Sequence, residues 1–296
     1  MKTPAPKHGR PWLRFLIGAS LGAGGPAVAA EAVAVMAQTL NDYTRVRLAD
    51  QSFKPERFVF GEGGCWTRGI NDPALDRMEF LDVARTVSGP LRRLNYLPAL
   101  NAGEAELLIL VFWGSTQGSH GYDPNLTLDH AARALAAYNA VKPREPGGAE
   151  SPEAAAAGAA RDSALWELSL ANRDRDRLDD RNARILGYGE ALDRARFAAH
   201  MSFAQDTMAE VADNRYFVVL QAYDFKTVAR EKKLKPMWIA RVSVSEHGRY
   251  DQALAQMVRH AAHYFGQDSH GLHRDVTRDG KVDLGPLEVV GVEPEK

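Results

Sequence analysis

The chain has 296 residues, of which 45% are hydrophobic and 25% charged, with 37 basic against 38 acidic side chains. That length and apolar content suffice for one large core or two ordinary ones, and the absence of a basic excess argues against a nucleic-acid-binding surface. A single cysteine, Cys65, excludes an intramolecular disulfide.

Lys2, Lys7, Arg10 and Arg14 lead into an apolar run at 15–25 and then Pro26-Ala27-Val28-Ala29-Ala30, the pattern of a secretory signal peptide over residues 1–30. The cut is expected near Ala29–Glu31, or a few residues later after Ala34. The run is shorter than the roughly 18–20 residues of a spanning helix, so no membrane span is expected in the mature chain. Cys65 lies far from the cut, leaving no thiol at the new amino terminus to carry a lipid. Losing the four leader cations changes 37 against 38 to 33 against 38, a net charge of −5. The mature protein therefore reads as soluble, periplasmic or secreted, with no nucleic acid among its partners.

Residues 34–40 suggest a short helix, followed by an extended piece. Arg57-Phe58-Val59-Phe60 reads as a strand running into a flexible turn, Gly61-Glu62-Gly63-Gly64. Over 76–96, Phe80, Val83, Ala84, Val87, Leu91 and Leu94 recur at helical spacing, with Pro90 expected to kink or split the helix near Ser88 and Tyr96-Leu97-Pro98 to end it. Leu107–Trp113 is the strongest strand signal, seven consecutive apolar residues stopped by Gly114, and reads as central and covered on both faces. Strand, helix, strand in this order implies a parallel pair.

Residues 122–214 read as a helical insertion. It contains a helix at 128–141, a Pro-, Gly- and Ala-rich hinge at 142–160, a long helix at 161–186 and a further helix at 190–212. The alternating charges of 172–181 are explained by a solvated helix face. Beyond it come a buried strand at 216–225, a basic connector, and an alternating strand at 237–245 with Trp238, Ala240, Val242 and Val244 on one side. An amphipathic helix at 250–265 and a C-terminal hairpin from Leu272 close the chain. The fold class is α+β or α/β: a first half at 31–121, the insertion, and a second half at 215–296. A mixed sheet of about four to six strands is expected, packed by two helices.

No catalytic signature emerges. The polar turn after the central strand, with Ser115, Thr116, Gln117 and His120 as hydrogen-bonding groups, is the candidate ligand-binding rim, because ligands of open α/β sheets gather beyond the carboxyl ends of strands. A hydrolase would use His120 as base beside Ser115 or Thr116. His260, His263, His270 and His273 are paired at three-residue spacing and form the candidate metal set, although side chains on an exposed helix and loop usually bind nothing. Asp275–Pro286 imitates a calcium loop only in part, with proline at the position of the bidentate acid. Cys65, preceded by Gly63-Gly64, reads as a small buried or half-buried residue and not as a nucleophile. No cofactor is implied.

On 58–64, 106–114, 215–224 and 238–266, the layout resembles uncharacterised exported bacterial proteins built on a small α/β envelope domain. It is similar to the amino-terminal domain of the Tol-system translocation protein and to lipoprotein domains of unknown function with a strand–helix–strand–strand–strand–helix plan. The helical insertion and the lack of a lipid-bearing cysteine depart from that pattern. The resemblance implies a non-catalytic role in the cell envelope, with an envelope protein or a small ligand as partner.

Overall fold

The computed structural model describes residues 32–67, 72–119, 124–142, 151–197 and 201–276. Among them, seven strands make one mixed sheet in the order β3-β2-β4-β5-β6-β1-β7. They are β1 (Ala32–Thr39), β2 (Glu56–Trp66), β3 (Tyr96–Pro98), β4 (Leu107–Thr116), β5 (Arg215–Asp224), β6 (Pro236–Ser245) and β7 (His273–Val276). β2 is parallel to both β3 and β4, and every other pairing is antiparallel. Eight α-helices accompany them: α1 (Pro73–Asp76), α2 (Phe80–Arg93), α3 (Pro124–Val141), α4 (Pro152–Leu186), α5 (Gly189–Phe197), α6 (Met201–Ala212), α7 (Phe225–Glu231) and α8 (Tyr250–Ala261). The class is α+β with the expected parallel β2–α2–β4 passage.

The first face of the sheet is closed. Ile109, Val111 and Trp113 of β4, Val218 and Leu220 of β5, and Trp238, Ala240, Val242 and Val244 of β6 pack beneath Val83, Val87 and Leu91 of α2 and Leu254, Met257 and Val258 of α8. Asp72 fastens this layer. Its Oδ1 accepts the Ala74 N–H, capping α1, and its Oδ2 accepts from the Tyr216 hydroxyl at 2.8 Å and the Tyr250 N–H at 2.9 Å.

The second face is covered only over β5, β6 and β1, where Ala183, Leu186, Tyr188 and Val211 pack on Ala34, Phe217 and Val219. Beside this cluster lies a buried charge network: Glu210 accepts from the Tyr188 hydroxyl at 2.7 Å and from Arg274 at 2.5 Å, and stands 3.8 Å from the fully buried Arg215. Over β2 and β4 the face stays half open. Leu108, Leu110 and Phe112 are only partly covered, so the central strand is buried on one side and not on two.

Several expectations are corrected. Residues 34–40 form strand and not helix, because Val33–Ala37 are buried on both sides between β6 and β7; tertiary pairing overrides the helix preference of Ala and Met. The 61–64 glycines belong to β2 and not to a turn: a Cβ on Gly61 or Gly63 would meet the Leu110 side chain or the Phe112 ring at 2.6 Å, so the missing side chains let those neighbours lie across the strand. Pro90 sits inside an unbroken α2, and 96–98 forms the edge strand β3. The 142–160 hinge is helical from Pro152 onward, and the 190–212 segment is two helices, α5 and α6. The expected leader, residues 143–150 and the chain from 277, with the expected hairpin turn and most of the calcium-like stretch, lie outside the described residues.

Helices α3 to α6 all fall between β4 and β5, which are themselves hydrogen-bonded neighbours. α3 and the first part of α4 pair as an arm, joined by a His130–Glu167 contact of 3.2 Å and by Arg161 stacked 4.1 Å over Tyr138. The 172–181 charges form neighbouring pairs at well-exposed positions, Arg177 with Asp174 at 3.5 Å and Arg175 with Asp176 at 3.8 Å, as a solvated face requires.

Candidate ligand-binding cleft

β2 and β4 end side by side because they run parallel, and the last turns of α4 lie next to those ends. A cavity of about 370 Å³ opens there, with Cys65 and Trp66 from β2 and Thr67 just after it, Ser115 and Thr116 from β4 and Gln117 just after it, and Arg181, Asn182 and Ile185 from α4. Gly114 makes the site: its φ is +145°, and a Cβ on it would stand 1.9 Å from the Trp66 carbonyl oxygen. Trp66 can therefore cross Gly114 and set its ring edge-on to Phe217 at 6.3 Å. On the far side of Trp66 and Ile185 a second basin of about 230 Å³ continues over Phe112, Phe217 and Val219 toward Gln221, Arg184 and Arg241.

The polar basin carries two unmet hydrogen-bonding atoms. Asn182 is fully buried, and its amide N–H groups donate to Gln117 O at 2.8 Å and Val211 O at 3.2 Å, tying α4 to the β4 exit and to α6. Its Oδ1 has no partner, and neither has the buried Ser115 hydroxyl. A buried polar atom left unpaired costs about 1–3 kcal/mol, so a ligand that reaches Asn182 Oδ1 and Ser115 Oγ recovers free energy the fold leaves unspent.

The predicted rim is placed differently by its four members. Ser115 and Thr116 are not loop residues: they extend β4 past Gly114 and are buried. The Thr116 hydroxyl accepts the Arg215 N–H at 3.1 Å and so serves the sheet. Gln117 follows in the loop and lines the cavity, while His120 lies outside the described residues. Gly118 is explained by close packing, since a Cβ would meet Ala212 O at 2.5 Å.

The four candidate metal ligands are spent separately. His260 stands 3.5 Å from Asp275, His270 is exposed beside Asp268 at 3.4 Å, and His273 stacks on Tyr264 with Nε2 2.6 Å from Ser269 O. His263 lies against the Tyr264 ring, 3.9 Å between centroids. Among the described residues no three His, Cys, Asp or Glu side chains converge as a metal centre would need.

Cys65 is exposed at the mouth of the cleft, against the expectation of burial, because it is the next-to-last residue of β2. Partial desolvation, with Asp76 and Glu62 adding, pushes its thiol above the usual range, which keeps it protonated and a poor nucleophile. Sequence reasoning missed Trp66, Asn182, Ile185 and Arg241; only the helical spacing of Arg181, Asn182, Arg184 and Ile185 hinted at a shared surface. The chain matches no protein-family model and no curated protein.

Proposed function

We propose that the chain is an exported, non-catalytic binding protein of the bacterial cell envelope, with the β2–β4–α4 cleft as its ligand site and the α3–α4 arm as its partner surface. The observation that carries this reading is the pair of unmet buried atoms, Asn182 Oδ1 and Ser115 Oγ, in a cavity at the carboxyl ends of parallel strands. Exposed Leu128, Leu135, Leu165, Trp166 and Leu170 along the arm supply the apolar contacts a protein partner would cover. Among the described residues no helix is long and apolar enough to cross a membrane. Processing before Ala32 suits the fold, because a cut after Ala34 would remove part of β1 where it pairs with β7.

Crosslinking of the native protein in intact cells, with fractionation of the same sample, tests the reading. A recurrent envelope partner crosslinked to the arm and lost in Trp166→Asp supports it; a protein found only in the cytoplasm sinks it. The unpartnered Ser115 hydroxyl also favours one rival, a periplasmic hydrolase with His120 as base. Ester-hydrolysing activity that disappears in Ser115→Ala and in His120→Ala would make that rival the better reading.

A further inference from the structure

The second basin joins two kinds of surface that proteins ordinarily keep apart. Its floor is apolar: Phe112, Phe217 and Val219 stand on neighbouring strands of the half-open face, with Trp66 as an end wall. Its side, formed by the end of α4 and by β6, carries Arg184 and Arg241. Neither guanidinium forms a hydrogen bond or ion pair among the described residues.

Arg241 is the informative one. It sits opposite Val219 in the β5–β6 register, and its stem is pressed against Gly187, where a Cβ would meet Arg241 Cδ at 2.7 Å. Burial lowers its proton affinity, opposed by the field of Glu190. Glu190 does not come to it: that carboxylate accepts from Gln38 at 2.6 Å and pairs with Arg194 at 3.0 Å. A half-buried guanidinium that keeps its charge without a counter-ion is unusual, because desolvated cations are generally paired. Three of its neighbours on the floor have no polar group to offer, and the Gln221 side-chain oxygen is already taken by the Tyr223 hydroxyl at 2.7 Å. What the basin lacks is an anion.

We propose that this basin binds a small anionic amphiphile, an apolar chain or ring bearing a carboxylate, with the apolar body on Phe112, Phe217 and Val219 and the carboxylate on Arg241 and Arg184. This rests on the cleft being a ligand site. A guanidinium holds a carboxylate through paired N–H donors, and the partly dry setting strengthens the contact. The two basins together have the few-hundred-Å³ scale of small-molecule sites, which favours a small ligand over a protein segment.

Calorimetric titration of the full chain with octanoate and with octanol separates the possibilities. Octanoate is expected to bind about tenfold more tightly than octanol, the margin a desolvated arginine–carboxylate contact gives. The double variant Arg184→Ala/Arg241→Met should abolish that margin while leaving octanol unchanged. Arg184→Glu, altering an exposed side chain and keeping Arg241 in place, should weaken octanoate alone and guards against a folding defect in the double variant. Equal binding of acid and alcohol by the wild-type protein overturns the anion preference while the cleft stands as a ligand site. Octanoate affinity untouched by both variants places the ligand elsewhere and overturns the proposal. No heat from either probe overturns both this assignment and the cleft as a ligand site.

Discussion

The two faces of one sheet solve the problem of burial differently. On the first face α2 and α8 supply enough side chain to close the layer, and the stabilisation comes from apolar contact with few polar atoms involved. On the second, the end of α4 covers β5, β6 and β1 and meets β2 and β4 only at their carboxyl ends, and buried charges and amides make up much of what remains. Closed packing gives stability and no place for a ligand; incomplete packing gives a cleft, and the unmet Ser115 hydroxyl and Asn182 Oδ1 line it.

The comparison breaks most visibly at its two centres. Trp238→Ala, in the middle of the closed layer, should cost about 3–5 kcal/mol of unfolding free energy in a urea titration. Glu210→Gln should cost about 3 kcal/mol, because it strips the carboxylate from Arg215 and Arg274 and leaves a buried charge uncompensated. If Glu210→Gln were neutral, the second face would not be held by charge.

Asp72 sharpens the contrast through pH. Burial works to raise its pKa, but the N–H groups of Ala74 and Tyr250 and the Tyr216 hydroxyl outweigh it and hold the carboxylate below its ordinary value. A depressed carboxyl lends stability that is complete above the unfolded value of about 4 and drains as pH falls through the folded one. The gap in urea midpoint between the wild type and Asp72→Asn should therefore be wide at neutral pH and close in acid. A constant gap would mean that Asp72 acts by shape alone.

The smallest effects come from glycines. Gly114→Ala drives a methyl into the Trp66 backbone and must displace β2, so a loss above about 1 kcal/mol is expected, together with loss of octanoate binding. Gly61→Ala meets only the flexible tips of Leu110 and Leu108, on the open side, and should change stability by less than about 0.5 kcal/mol. Similar melting temperatures for the two would contradict the half-open second face.

Local patterns carried much of this fold. The apolar stripe of α2, the seven-residue run of β4 and the alternation of β6 each announce their element, since a period of two or 3.6 is written into a single segment. β1 was hidden because Ala32–Thr39 is a strand only by virtue of its neighbours β6 and β7, and its alanines and methionine favour helix when read alone. The helical start of α4 is legible in the sequence: Ser151 caps it, accepting the Ala154 N–H at 3.1 Å, with Pro152 in the first turn and four alanines after Glu153. Of the site, Ser115 and Gln117 could be placed near a strand end from sequence. The convergence of Trp66, Asn182 and Arg241 on them could not, since residues that meet only through a sheet register and a distant helix leave no spacing to read.

One consequence follows from the length of α4. Its 35 residues make a rod of about 50 Å, with neither glycine nor proline between Ala159 and Leu186. The same rod is one half of the arm at Glu167 and a wall of the cleft at Ile185. A load applied to the outer end is delivered to the cavity wall with no hinge between them, so the arm is mechanically a lever whose short end is that wall.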